Sequence, residues 1–464
     1  MHNFMKSASR LSALAFSVTL VACGGSNDVI QANSNTYVQS TFVSNNSTSY
    51  QPTTGVDPSF IDAWGIAIRP AGQPGHFWVL AGNKSFEYVG DVSGKIIPPC
   101  TSTKLCADLA PLSANTISFP DFPSNTSGQP DIIKNHATGV VFNSQPSSFV
   151  ITQTPSSPST NTAQITAGAK FLFATNFGAI YAWTERKHAD GSGYDRADTA
   201  VKVFDTRLNS NDCGQFYGLA ISPTSDRLYA ADFGRDTSGS CNNPDAIAAV
   251  PASFKIRIFD KTLQADGTLK EITSTLYGGK PFMNPFVADQ EHIQAGDFVP
   301  WNVQVVGSSV FVTYVQVQQN PNAPVGTPFT ANEVHAPGAG RLVEFNLDGG
   351  LIGVWNDVGM LNAPWGLAAA PSNFGALSNT LLVGNFGDYD AGGSKGAITA
   401  FDRHTRKAVN YVRNKDGSPM LIPGIWGMTF GNGDTLGDSN ALYFASGPNG
   451  ELDGLFGSLR YSAP

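Results

Sequence analysis

Charge is scarce in this sequence. Of its 464 residues only 14% are charged, where about a quarter is usual for a soluble chain. The 28 Lys and Arg and 36 Asp and Glu leave a formal net charge of -8. The cations form no patch, which excludes the electrostatic footprint of a nucleic-acid binder and a polybasic membrane surface. The 7 histidines contain no H-x-H or H-E-x-x-H spacing. Gly pairs such as Gly431-Asn432-Gly433 open no helix, so they read as turns rather than phosphate loops. No apolar stretch reaches the ~20 residues that span a bilayer. Against these absences stand 48 Gly, 29 Pro and 30 Phe, with no collagen period. Many turns and ample aromatic side chains exclude a helical bundle and a disordered polymer. The class expected is all-β.

The first 22 residues hold Lys6, Arg10 and no acid, and run through Leu11–Leu20 to Leu20-Val21-Ala22-Cys23. A basic start, a short apolar core and small residues make a secretory signal. Ending at a Cys, it resembles the bacterial lipoprotein signal, with Cys23 as the lipidated first residue and Gly24 compatible with the outer membrane. Residues 1–22 are therefore expected to be a signal peptide. Residues 23–36 read as a flexible lipid-anchored tether, and 37–464 as one domain. Cys100, Cys106, Cys213 and Cys241 remain, an even number for an oxidising compartment. Proximity favours 100–106 and 213–241 among three connectivities. A metal site is the competing reading, and it is weaker because neither spacing is the paired C-x2-C of zinc sites and no His clusters nearby.

A repeat supplies the architecture. Six segments share an aromatic or polar residue, then Gly, then alternating apolar positions: Trp64-Gly65-Ile66, Thr138-Gly139-Val140, Tyr217-Gly218-Leu219, Trp301-Asn302-Val303, Trp365-Gly366-Leu367 and Trp426-Gly427-Met428. Each precedes a second β-rich run, such as Phe77–Leu80 or Leu442–Ala445, and a third, commonly opened by Gly, such as Gly178–Trp183. Units of three to four strands, each unable to bury both faces alone, describe a radial array. The expected fold is a six-bladed β-propeller. The last unit lacks a fourth strand, and Tyr37–Val43 alternates like a strand without a blade, so this N-terminal strand is expected to close the ring. Insertions rich in Ser, Pro, Asn and Gly fall at 97–125, 144–166, 236–253, 277–298 and 316–338.

These residues also resemble a family of uncharacterised exported bacterial propeller-like proteins with Asn-Pro-Trp-Gly-Leu repeats. The match runs through Asp57–Ile66, Leu228–Phe233, Leu361–Ala368, Leu382–Asp388, Gly424–Gly433 and Gly454–Gly457. Asp62-Ala63 departs from the usual Asn-Pro, and His136-Ala137 stands where Pro is common. More distantly the strands resemble NHL-type and gluconolactonase-like propellers. The resemblance implies the fold and no activity.

Candidate chemistry lies where blades converge. Asn83, Asn176, Asp232 and Asn385 follow second strands, with Tyr314 and Asn449 placed less regularly. With His136 and Asn302 they form a ring of metal or ligand candidates, suited to Ca²⁺ or another divalent cation in the central channel. The competing reading is Asx turns onto the local backbone. Trp64, Tyr217, Trp301, Trp365 and Trp426 are expected to pack between neighbouring blades rather than line a pocket. The function expected is ligand or partner binding by an exported, lipid-anchored, monomeric lipoprotein of the cell envelope, with a small molecule, a carbohydrate or an envelope protein as partner. The alternative is a metal-dependent hydrolase or lactonase-like enzyme at the channel mouth, using His136 or Glu333. A quinone-dependent dehydrogenase lacks the basic and His constellation it needs.

Overall fold

The computed structural model describes residues 35–463 apart from 74, 94–108, 126, 133, 157–160, 210–212, 236–253, 273–275, 322–328 and 388–395. Six antiparallel sheets stand in a ring, a six-bladed β-propeller. Blade 1 comprises Ala63–Ala67, Phe77–Ala81, Lys84–Gly90 and Leu109–Ser118, from the axis outward. Blade 2 comprises Ala137–Phe142, Phe171–Thr175, Ala179–Trp183 and Val201–Asp205. Blade 3, among the described residues, comprises Gly214–Ile221, Arg227–Arg235 and Phe254–Asp260. Blade 4 runs Phe298–Val306, Ser309–Gln319, Gly340–Asn346 and Leu351–Trp355, and Ala331–Glu333 pairs with the extended end of its second strand. Blade 5 is Pro364–Ala369, Leu381–Asn385, Ile398–Asp402 and Lys407–Tyr411.

Blade 6 takes Ile425–Phe430, Ala441–Ser446 and Leu455–Tyr461 from the end of the chain and Tyr37–Ser44 from its beginning. The two ends pair antiparallel, Tyr37 opposite Tyr461 and Ser44 opposite Leu455. Tyr37, Phe42 and Val43 of the closing strand are buried. Their burial is worth roughly 5–9 kcal/mol before ordering costs, comparable with the whole net stability of a domain. The expected closure is what the ring shows. One boundary moves: Asn35 and Thr36 were assigned to the tether, yet both are buried and bonded to Tyr411 O and Ser462 O, each at 2.6 Å. Their amide and hydroxyl groups find partners on the ring rather than in water.

Apolar layers lie between adjacent blades, because each sheet buries both faces. Around the axis the inner strands approach so closely that a Cβ on Gly427 would run into the carbonyl oxygen of Trp64 in the next blade. The same abutment recurs at Gly65, Gly139, Gly218 and Gly366. Asn302, the exception in blade 4, bridges the gap by donating from Nδ2 to Trp365 O at 2.7 Å. Among the described residues no helix is long and apolar enough to cross a membrane.

An up-and-down meander fixes which connections share a face. Inner strands all start on one face of the ring, and the turns joining second to third strands return to it. The N-terminal end of the closing strand lies on the opposite face. Entry residues of blades 1 and 2 therefore share a face with the second-to-third connections of blades 4 and 6. The site is built there.

Candidate functional site

Asp62 enters blade 1 with φ 50°, in the left-handed region that Asp tolerates better than most residues. The Asp62 backbone N–H donates to Asp453 O at 3.1 Å, which ties the entry loop to blade 6. Its side chain is fully buried, and Oδ2 accepts from Trp64 Nε1 at 2.7 Å. Oδ1 has no hydrogen-bond partner among the described residues. It lies against Gly447, where a Cβ would collide with it.

His136 enters blade 2 at the equivalent position. Asn176 clamps it: Oδ1 accepts from the His136 backbone N–H at 2.8 Å, and Nδ2 donates to Lys134 O at 2.9 Å. The ring stacks on Trp64, centroids 6.0 Å apart, and Nδ1 lies 3.1 Å from Ile132 O and 3.0 Å from Asp62 Oδ2. Glu451 arrives from the second-to-third turn of blade 6, half-buried and with φ 66°. One ligand atom from each of Asp62, His136 and Glu451 lies within 4.8 Å of the others. The blade 4 insertion adds Glu333 and His335, 3.6 Å apart, and their charges act on Glu451.

Burial dominates the electrostatics. It pushes the Asp62 carboxyl up to about 7, with the indoles of Trp64 and Trp426 offsetting part of the rise. Burial, then the charges of Asp62 and Glu333, pushes Glu451 up to about 8 against the opposing pull of His136 and His335. His136 is pushed below its usual range by burial. At neutral pH the imidazole is therefore neutral, and the two carboxyls compete to remain ionised.

The channel below is filled. Trp64 stacks on Trp426 with centroids 3.5 Å apart and meets Trp365 and Tyr217 at 5.7 Å each. Trp301 reaches Tyr217 at 5.8 Å and Trp426 at 6.3 Å. These rings were expected to pack between neighbouring blades. Some do, but Trp64 with Tyr217, Trp64 with Trp365 and Trp301 with Trp426 join blades that are not adjacent. The five side chains form a plug because Gly at the next position brings the strands too near the axis for an open pore. Phe386 and His335 continue the stack above it.

The candidate ring expected from the strand ends does not converge on a ligand. Asn176 serves the His136 loop. Asp232 binds Arg257 at 2.7 Å and accepts from the backbone N–H groups of Gln215 and Gly234. Asn302 spans blades 4 and 5. Asn385 accepts from the Asn362 N–H and donates to Ala397 O and Thr399 Oγ1. Asn83 is half-buried in a tight turn of blade 1. Asn449 donates to Asp453, and Tyr314 is buried against Phe286. Of these eight candidates only His136 belongs to the cluster, since main-chain groups that need partners claim most of the others.

Asp62 and Glu451 were missed. The signal for Asp62 lay in the repeat itself. Three residues before the inner-strand Gly, or Asn302, the blades carry Asp62, His136, Gln215, Val299, Ala363 and Gly424. The two titratable residues in that column are the two that meet. Glu451 has no such signal. Cys213 is buried, while Cys23, Cys100, Cys106 and Cys241 lie outside the described residues.

No family model matches this chain. It is 29% identical over 244 residues to the uncharacterized protein R648 of Acanthamoeba polyphaga mimivirus, covering 53% of this chain and 48% of that protein. It is 32% identical over 181 residues to the uncharacterized protein L690 of the same virus, covering 39% and 42% respectively. The chain thus spans about half the length of the curated relatives it matches. They give no support to the bacterial exported family that the motifs resemble. Among solved structures, the Cps50 (Swd1) β-propeller domain of Myceliophteria thermophila aligns at 8% identity and TM-score 0.36, covering 86% of this chain and 84% of that one. A structural genomics protein of unknown function from Bacteroides thetaiotaomicron aligns at 9% identity and TM-score 0.40, covering 91% and 76%.

Proposed function

We propose that the propeller is a binding module whose ligand site is the channel mouth, above the aromatic plug. The observation that carries this reading is the convergence of Asp62, His136 and Glu451 from three blades, two of the three on left-handed backbone. Strained residues with perturbed ionisation, gathered in one place, are a mark of function rather than of packing. Glu333 and His335 add to the polar groups at the mouth, and the aromatic plug closes the channel beneath it.

The test is a thermal-shift and near-UV circular dichroism screen of sugars, sugar acids, amino acids and nucleosides. The plug tryptophans report occupancy of the mouth. Ligands should stabilise the wild-type chain and not the Glu333→Gln/His335→Ala double variant. Ligands that stabilise both equally bind elsewhere and count against the mouth.

The export reading belongs with this proposal. Lys6, Arg10, the apolar run and Cys23 support a lipid-anchored envelope protein, and the cysteine spacing supports disulfides 100–106 and 213–241. Incorporation of labelled fatty acid that Cys23→Ser abolishes checks the first. Peptide mass mapping without reductant checks the second, and four free thiols would reject it.

A further inference from the structure

We propose that Asp62, His136 and Glu451 are the protein ligands of one divalent cation of the zinc class, an inference that rests on the mouth being the ligand site. Three observations converge on it. First, the donors are two carboxylates and an imidazole with one atom each inside a 4.8 Å span. Zinc takes His nitrogen and carboxylate oxygen at about 2.0–2.2 Å, and three protein ligands with an open position are its usual arrangement where it meets a ligand or substrate. Calcium takes six to eight oxygens at about 2.3–2.6 Å, and the side-chain amides that would supply them are committed to the main chain.

Second, among the described residues neither Asp62 nor Glu451 forms an ion pair with a lysine or arginine. Elsewhere in this chain buried Asp232, Glu87 and Asp195 each have an arginine, Arg257, Arg196 and Arg186 respectively, while buried Asp357 and Asp453 accept hydrogen bonds at their carboxylates, Asp357 from Gly359 N–H and Asp453 from Asn45 and the Tyr50 hydroxyl. A buried carboxylate costs several kcal/mol without a counter-ion, and Asp62 is fully buried with Oδ1 unpartnered. A cation at the mouth supplies the positive charge that no lysine or arginine among the described residues brings to Asp62 or Glu451.

Third, the donors are held in advance. Trp64 fixes Asp62, Asn176 fixes the His136 backbone, and the Ile132 carbonyl accepts at the imidazole Nδ1. Gly447 leaves room for the Asp62 carboxylate, whose Oδ1 a Cβ there would strike. Half-buried Glu451 marks the solvent side from which an ion enters and a ligand completes the coordination.

The experiment uses the mature chain, stripped with chelator, dialysed against Zn²⁺, Mn²⁺ or Ca²⁺ and assayed for metal by mass spectrometry. One Zn²⁺ per chain is expected, with a raised melting temperature and no displacement by equimolar Ca²⁺. Asp62→Asn, His136→Gln and Glu451→Gln should each weaken Zn²⁺ binding by on the order of 100-fold, the upper range for perturbing a metal's ligand shell. Near-UV circular dichroism verifies that each variant keeps its aromatic plug, and Glu451→Gln, in a turn, is the variant whose folding is least at risk. Substoichiometric Zn²⁺ on the wild type, or unchanged affinity in Asp62→Asn and Glu451→Gln, overturns the cation. Preferential Ca²⁺ binding overturns its class. If metal fails while screened ligands still require Glu333 and His335, the mouth reading stands without the cation. If metal loads but those ligands ignore the mouth, the cation stands and the broader reading falls.

Discussion

Two kinds of buried ionisable cluster coexist in this ring, and they are balanced in opposite ways. Between blades 6 and 1, Arg460 lies 2.7 Å from Asp91 and 3.3 Å from Asp438, and the Tyr443 hydroxyl donates to the same Asp91. In blade 3, Arg257 binds Asp232 at 2.7 Å and Glu271 at 3.1 Å. Both clusters carry their own cation, and the one between blades 6 and 1 joins segments distant in sequence. At the channel mouth, Asp62 and Glu451 share a small volume with a neutral imidazole and, among the described residues, no lysine or arginine. The chain can evidently place an arginine beside a buried acid when it needs a lock. Where it leaves the acid unneutralised, stability is spent on something else.

The sharpest way to break this comparison is Arg257→Met. Removing that guanidinium breaks its buried pair with Asp232, and breaking such a pair costs about 3–5 kcal/mol. Denaturant unfolding should show it, and a loss below about 1 kcal/mol would mean that the blade 3 pair is no lock.

Next in size is a pH effect. In the metal-free chain the folded pKa values of Asp62, about 7, and Glu451, about 8, exceed those of ordinary carboxyls. The folded state then holds protons that the unfolded chain releases, so stability falls as pH rises from about 4 to 8. His136, pushed down by burial, opposes this below about 6.5, where the unfolded imidazole takes up its proton. The fall should be steepest between about 6.5 and 8 and amount to roughly 2 kcal/mol. Calorimetry over that range checks the sign, and a rise would contradict the cluster's electrostatics.

Asp62→Asn should do the reverse of an ordinary buried substitution. It removes an unneutralised charge, keeps an acceptor for Trp64, and suits left-handed backbone. The metal-free variant should gain about 1 kcal/mol and lose much of the pH slope above 6.5. Destabilisation at pH 8 would show that the carboxylate is already satisfied. The smallest effect is expected at the rim: Glu333→Gln should shift stability by less than about 0.5 kcal/mol, whatever it does to ligand binding.

The ring was legible because its cause is local and repeated. A Gly, or Asn302 in blade 4, recurs where inner strands approach, so the spacing counted the blades, and an orphan strand at Tyr37–Val43 announced the seam. The site was harder to read. His136 stood out as a lone histidine before an inner strand. Asp62 became visible only by reading down the repeat column, because its partner is 74 positions away. Glu451 sits in a turn whose sequence says nothing of the channel, and only ring closure brings it to the mouth. The amides that looked like ligands were indistinguishable in sequence from amides that satisfy the backbone.

The direction of the closing strand has a practical meaning. Tyr37 starts it on the face opposite the mouth, and Leu455–Tyr461, paired antiparallel to it, ends on that same far face. Both described ends of the chain therefore point away from Asp62, His136 and Glu451. Whatever holds the protein by either end, a lipid, a resin or a fused tag, presents the mouth outward, and immobilised material should offer its ligand an unobstructed approach.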